Sequence, residues 1–170
     1  MMKGSDLTGH SGNDEIGTPD ALYEWLDRRF QFNYDAFASH ANHLCTTYST
    51  MDGTFEDWHS DGRHYITGED GLEYGWQGAR VFWNPPYSRP LFGLAVDKAI
   101  AERNNVEISA GLVKWDTSTE SCRKLMQYAH VELLKRVQYK GMKAAATFAS
   151  AIVIMRPDEL WRPSRGKVSG

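Results

Sequence analysis

Residues 79–83, Ala79-Arg80-Val81-Phe82-Trp83, have the composition of a β-strand and run directly into Asn84-Pro85-Pro86-Tyr87. Proline donates nothing to a ladder and holds φ at about −65°, so two in succession must stop the strand and send the chain off in one rigid direction. A strand that ends this way belongs at the carboxyl edge of a sheet. In open α/β sheets that edge is where ligands bind. The bend offers three things to such an edge: an amide oxygen from Asn84, a backbone carbonyl from Pro85 and an aromatic face from Tyr87.

The rest of the chain supplies a sheet of that kind. Thr18-Pro19 predicts a helix start, with Thr18 as N-cap and Pro19 at the first helical position. Leu22, Trp25, Leu26 and Phe30 follow at helical spacing, with Asp20 in the first turn and Arg28 and Arg29 in the last. Alternating aromatics predict a strand over 30–35, followed by a helix over 39–44 and a second strand over 45–50. Residues 51–71, dense in Gly, Asp, His and Trp, read as a long loop. Beyond Pro90, the residues Leu91, Leu94, Ala95, Ala99 and Ile100 mark an amphipathic helix. A strand over 106–115, a helix over 117–129 and two strands over 131–137 and 147–155 complete the pattern. The last two flank a Lys/Gly/Ala-rich connection over 140–146. Strands alternating with helices, closed by two strands without a helix between them, predict a mostly parallel α/β sheet ending in an antiparallel hairpin at one edge or just inside it. Residues 1–17 read as a flexible tail, 18–156 as one domain and 157–170 as a second tail.

Composition excludes several classes. At 170 residues the chain suits a single domain, and 41% hydrophobic residues with six Trp can fill a core. No apolar run reaches membrane-span length, and the polar N-terminus lacks a signal-peptide stretch. Cys45 and Cys122 are too few for a disulfide scaffold. A net charge of −3 argues against bulk positive charge as the grip on nucleic acid, though a local basic face is compatible with it. His40, His43 and Cys45, with His59 and His64, fit no common zinc spacing, so no metal site is expected. Nothing in the sequence calls for an obligate protein partner.

The chemistry follows from the bend. An exocyclic or amide nitrogen conjugated to a π system is a poor nucleophile with two N–H donors. Two acceptors, the Asn84 side-chain oxygen and the Pro85 carbonyl, suit both hydrogens and favour a nitrogen with its lone pair exposed to an electrophile. Tyr87 is placed to stack on a planar substrate.

An ordered set of features accompanies the bend: Thr18-Pro19, Asp35-Ala36-Phe37-Ala38, Asn42 and Cys45, Asp70-Gly71-Leu72 with Trp76, Arg80 to Tyr87, Trp115-Asp116-Thr117 and Ser150-Ala151. Over residues 18–155 this set resembles the phage-type DNA N6-adenine methyltransferase (Dam) family. The resemblance implies a small Rossmann-like methyltransferase sheet, S-adenosyl-L-methionine as cofactor and transfer of its methyl group to adenine N6 in DNA. It further implies a phage origin and action in a bacterial cytoplasm. By position it implies that Asn84, Pro85, Pro86 and Tyr87 bind and activate the amine. Asp35, Ala36 and Phe37 open the cofactor site, Asp70 meets the cofactor adenine, and Thr18 and Pro19 close its methionine end. Phosphate contacts fall to Arg89, Lys114, Lys140 and Lys143, and base reading to loops such as 51–69.

Other readings stand beside these. Asp35 serves equally as a cap or turn residue, Asp70-Gly71 is a common turn pair, and the lysines near 140 suit a solvated loop. Ser39-His40-Ala41-Asn42 stands where the family has a glycine-rich turn. That departure is the best support for a catalytically degenerate nucleic-acid-binding module. The same tetrapeptide would also serve a methyltransferase acting on an RNA base or a protein glutamine amide.

Overall fold

The computed structural model describes residues 16–39, 41–51, 65–66 and 70–160, with backbone alone for 65–66. Most of the expected N-terminal tail, the tip of the long loop with His59 and His64, His40, and the chain beyond 160 lie outside the described residues.

Among the described residues, seven strands form one sheet: β1 (Tyr34–Ala38), β2 (Thr47–Thr50), β3 (Tyr65–Ile66), β4 (Arg80–Trp83), β5 (Ile108–Lys114), β6 (His130–Leu134) and β7 (Ser150–Met155). Their spatial order is β3-β2-β1-β4-β5-β7-β6. The first five run parallel, and β7 is antiparallel to both β5 and β6. The fold class expected from the sequence is therefore the one observed. The closing strand inserts just inside the edge, and β6 becomes the edge. A parallel neighbour needs a crossover, whereas the connection from β6 to β7 carries no helix among the described residues and simply doubles back.

Among the described residues, three α-helices cover the sheet: α1 (Asp20–Phe30), α2 (Leu91–Glu102) and α3 (Glu120–Tyr128). Leu26 and Phe30 of α1 pack with Phe82, Leu112 and Ile152 on one face. Ala95, Val96 and Ala99 of α2 and Leu125 of α3 pack with Val81 and Trp83 on the other. Strand β4 thus alternates faces, as a strand must, and every residue of β1 is buried. The alternation carries on past Trp83, so Asn84 emerges on the α1 face.

Four local expectations differ from the structure; one is the loop expected over 51–71, inside which Tyr65–Ile66 pairs with β2 as strand β3. The first strand starts at Tyr34 rather than Phe30. Phe30 closes α1, and Gln31 adopts a left-handed cap (φ 52°) whose N–H donates to the Asp27 carbonyl at 2.7 Å. The Asp27 carboxylate then accepts the Phe32 N–H at 2.8 Å. The aromatic alternation that suggested a strand is a cluster, with Phe32 against Tyr23, Phe30 and Phe82. The cap of α1 is Pro19, without a side-chain hydrogen bond, because the Thr18 hydroxyl serves Asn84 instead. No helix forms between Ser39 and Leu44 among the described residues. The Asp35 carboxylate takes the Leu44 N–H at 3.0 Å, and Ser39 and Asn42 exchange backbone bonds at 3.1 Å, closing a tight turn in place of a helical ladder. No helix among the described residues is long and apolar enough to cross a membrane.

Candidate active site

Asn84 sits one residue past β4 and is held from two sides. Its side-chain Nδ2 donates to the Ile16 carbonyl at 3.1 Å and to the Thr18 hydroxyl at 3.1 Å. A backbone carbonyl only accepts, so the contact with Ile16 decides which end of the amide is nitrogen. The other end, Oδ1, faces the Tyr87 hydroxyl at 3.1 Å. That hydroxyl also lies 3.1 Å from the Leu112 carbonyl and 3.0 Å from the Tyr139 hydroxyl, which in turn meets Ser150 Oγ at 2.9 Å. Burial pushes the Tyr87 hydroxyl well above the usual phenol range, so it stays protonated and acts as a donor.

The tetrapeptide is thereby pinned. Pro85 is buried, and Pro86 and Tyr87 are half-buried. The Tyr87 ring meets Phe92 and Phe148 edge to face, at 5.9 and 5.7 Å between centroids, and Tyr139 at 6.1 Å. Tyr139, Phe148 and the Ile16 carbonyl were not singled out from the sequence, and Ser150 entered only as a feature of the resemblance, without a role in the site. Tyr139 sits just before the 140–146 connection that reads as a basic solvated loop and Phe148 just after it, in the expected strand over 147–155, and two large aromatics flanking that connection were the available signal. The Ile16 contribution is backbone, and no side-chain pattern announces it.

The second cluster lies on the neighbouring strand. β1 and β4 pair in parallel, with Tyr34 opposite Val81 and Asp35 opposite Phe82, two residues before Asn84. Asp35 is buried, and its Oδ2 accepts the Leu44 N–H. Desolvation lifts its carboxyl pKa to about 7, against the opposing pull of the Leu44 and Phe37 N–H groups. Burial and the nearby Asp35 charge push the Cys45 thiol up to about 12, and the Tyr23 hydroxyl lies 3.3 Å from its sulfur.

Asp70 is also buried. Its Oδ1 accepts the Leu72 N–H at 2.8 Å and the Glu73 N–H at 3.0 Å, which makes it the organiser of a turn. The Gly71 N–H donates to the Thr50 carbonyl at 3.0 Å, laying that turn across the ends of β1 and β2. A Cβ on Gly71 would fall 1.8 Å from the Ala36 carbonyl oxygen and 2.6 Å from the Phe37 ring. The structure therefore sets the Asp70 turn against Ala36 and Phe37, whereas the Asp35 carboxyl lies with the Leu44 N–H, Cys45 and Tyr23. It places Thr18 on Asn84 and Pro19 at the head of α1.

The basic candidates separate. Lys114, at the end of β5, holds its ammonium 5.4 Å over the Phe148 ring, next to Tyr87. Lys140 is ion-paired with Asp20 and bonded through its backbone N–H to the Gly17 carbonyl at 2.8 Å. Arg89 is exposed two residues beyond Tyr87, and Lys143 is exposed with no described contact to the Asn84 group. Among the described residues, no group of three or more His, Cys, Asp or Glu side chains is arranged to hold a metal ion.

Asp35 gives a pH prediction. A carboxyl whose pKa is higher in the folded than in the unfolded chain binds its proton more tightly when folded. Its contribution to stability is present below about pH 4 and is lost as pH rises through about 7. Asp35→Asn is neutral at every pH and keeps an oxygen for the Leu44 N–H. The stability of the variant relative to the parent should therefore grow between pH 4 and 7 and level off above 8, measured by urea denaturation. Parallel pH profiles would remove the buried-charge assignment.

No family model and no curated protein matches the sequence. Solved structures share the fold. The 23S rRNA methyltransferase ErmE superposes with a TM-score of 0.52 over 84% of this chain and 70% of its own, at 8% identity. A dimethyladenosine transferase from Plasmodium falciparum gives a TM-score of 0.52 over 85% of this chain, at 10% identity. The chain spans 64% of that protein's length. The likeness at these identities is one of fold: this chain has the Rossmann-like architecture of those methyltransferases.

Proposed function

We propose that the chain transfers a methyl group from S-adenosyl-L-methionine to the N6 amine of adenine in DNA, as the resemblance to the phage-type family suggests. The observation that supports this most is the state of Asn84. Both of its amide hydrogens are engaged by Ile16 and Thr18, so it offers an incoming group an acceptor only. An amine meets that requirement and a ring carbonyl does not. With the Pro85 carbonyl as second acceptor, the two N–H bonds of an exocyclic amine are held together and its lone pair is directed away from them.

The donor set also fits the cofactor. Asp70 brings a buried carboxyl group to the turn beside the Phe37 ring, and Asp35 brings a second one on the second residue of β1. A ligand with an ammonium group, ribose hydroxyls and an adenine amine presents donors to such acceptors, and Phe37 suits its positive charge. When bound, the cofactor supplies an electrophilic methyl group on a sulfonium. Asp35, Asp70 and Phe37 would hold it at β1, and Asn84, one strand over, would hold the amine.

Adenine in a duplex must leave the stack to reach Asn84, at a cost of about a few kcal/mol that the two acceptors and the Tyr87 ring would offset. Arg89, Lys114, Lys140 and Lys143 are the proposed phosphate contacts, with Lys140 sharing its charge with Asp20. A phage or prophage source and a bacterial cytoplasm belong to the same proposal. RNA adenine is the second reading, because two of the structural neighbours are named for rRNA and dimethyladenosine chemistry.

The test is transfer of label from methyl-labelled cofactor to DNA, RNA and protein offered separately. The expected result is N6-methyladenine in DNA. Label confined to RNA or protein would overturn the DNA assignment. Absence of both label and calorimetric heat with the cofactor would favour a degenerate binding module.

A further inference from the structure

Two segments far apart in sequence close on Asn84. From one side come Ile16 and Thr18, which take both amide hydrogens. From the other comes Tyr139, whose hydroxyl holds the Tyr87 hydroxyl at 3.0 Å while that hydroxyl faces Asn84 Oδ1. The two segments are tied to each other. Gly17 and Lys140 form an antiparallel bridge, the Lys140 N–H donates to the Gly17 carbonyl at 2.8 Å, and the Lys140 ammonium pairs with Asp20. The approach is tight: a Cβ on Gly17 would lie 3.0 Å from the Lys140 Cβ and 3.1 Å from Asn42 Nδ2.

We infer that this bracket fixes the rotation of the Asn84 amide, with Thr18 and Tyr139 as positioning residues. The inference rests on the proposed role of Asn84 as acceptor for the substrate amine. An asparagine amide turned by half a rotation exchanges its oxygen and nitrogen ends. Turned that way, Asn84 would set its oxygen against the Ile16 carbonyl and offer an incoming group N–H donors, which suit a ring carbonyl rather than an amine. The Ile16 carbonyl opposes that rotation. The Thr18 hydroxyl secures the second hydrogen. Tyr139 holds the Tyr87 hydroxyl, whose single proton is shared between Oδ1 and the Leu112 carbonyl, so that Tyr87 engages at most one of the two Oδ1 lone pairs. Thr18 thereby acts on the amine end of the site through Asn84 rather than on the cofactor.

The experiment separates these roles. Thr18→Val keeps the shape and removes the hydroxyl, and it should lower kcat about 10–100-fold with cofactor affinity within threefold. Thr18→Ser should return kcat to within threefold of the parent. Tyr139→Phe should lower kcat about tenfold and serves as the second variant should Thr18→Val fail to fold. A readout independent of turnover is the Asn84 side-chain NH2 pair in a 15N–1H spectrum, identified by its loss in Asn84→Asp. Both hydrogens should exchange slowly in the parent, and exchange should quicken in Thr18→Val. A Thr18→Val protein with parental kcat, with unchanged NH2 exchange, or with its defect confined to cofactor affinity would overturn the bracket. A parent that methylates no acceptor would overturn the proposed function, while the exchange measurement would still decide the bracket.

Discussion

Asn84→Ala should remove methyl transfer while leaving the cofactor bound. The side-chain oxygen is one of two acceptors proposed for the amine, and groups aimed at a reacting centre act mainly on the transition state. Deleting one preorganised group of this kind elsewhere costs about 10²–10³ in kcat. A loss at or beyond that range is expected here, because the Asn84 amide also anchors the bend: it holds residues 16–18 on one side and the Tyr87 hydroxyl on the other. Cofactor affinity should change less than about tenfold, since the residues proposed to hold the cofactor, Asp35 and Asp70, lie on β1 and in the 70–74 turn rather than on Asn84. Single-turnover transfer and a calorimetric titration measure the two separately. Activity within tenfold of the parent would defeat the assignment, and an affinity loss larger than the turnover loss would move Asn84 to the cofactor. Asn84→Asp sharpens the reading. Its carboxylate would face the Ile16 carbonyl, and the variant should lose about 1–3 kcal/mol of stability, because two acceptors would meet where a donor and an acceptor now do.

The parts of the molecule legible from sequence are those where one physical cause dominates. Pro85-Pro86 had to end β4, and the alternation of Val81, Phe82 and Trp83 between two cores follows from strand geometry alone. The closing hairpin was legible because nothing helical separates its strands. The unreadable parts are those where two causes compete for one group. Thr18 has the makings of a helix cap, but Asn84 lies 66 positions away in sequence and takes its hydroxyl, so Pro19 caps α1 without a side-chain bond. Phe30 and Phe32 alternate like a strand, yet a left-handed Gln31 and the Asp27 carboxylate wind them into a helix end. Asp35 draws the Leu44 N–H away from the helix that composition alone would build there. Tyr139 sits among Lys, Gly and Ala, and only the fold reveals that its hydroxyl is buried between Tyr87 and Ser150. In each case the deciding partner is distant in sequence or is a backbone atom.

Gly71→Ala should destabilise the whole domain and weaken the cofactor site with it. The new Cβ would stand 1.8 Å from the Ala36 carbonyl oxygen and 2.6 and 2.9 Å from two atoms of the Phe37 ring. Neither neighbour can yield cheaply. Ala36 is the centre of a strand buried throughout, and Phe37 packs edge to face on the buried Trp76 at 6.0 Å. The turn must lift instead, breaking the Gly71–Thr50 backbone bond and carrying Asp70 away from β1. Forced overpacking of this kind costs about 1–3 kcal/mol, and the lost backbone bond adds about 1 more, so a drop of roughly 6–12 °C in melting temperature is expected. Gly75→Ala is the matched control: a Cβ there meets nothing within 4 Å, and its effect should stay within about 0.5 kcal/mol. A thermal melt of the two variants beside the parent measures the stability effect. Cofactor titration well below the melt of Gly71→Ala measures the second consequence, an affinity loss that Gly75→Ala does not share. A Gly71→Ala protein as stable as its control would mean that the turn does not rest on β1. A destabilised one with parental affinity would separate Asp70 from the cofactor.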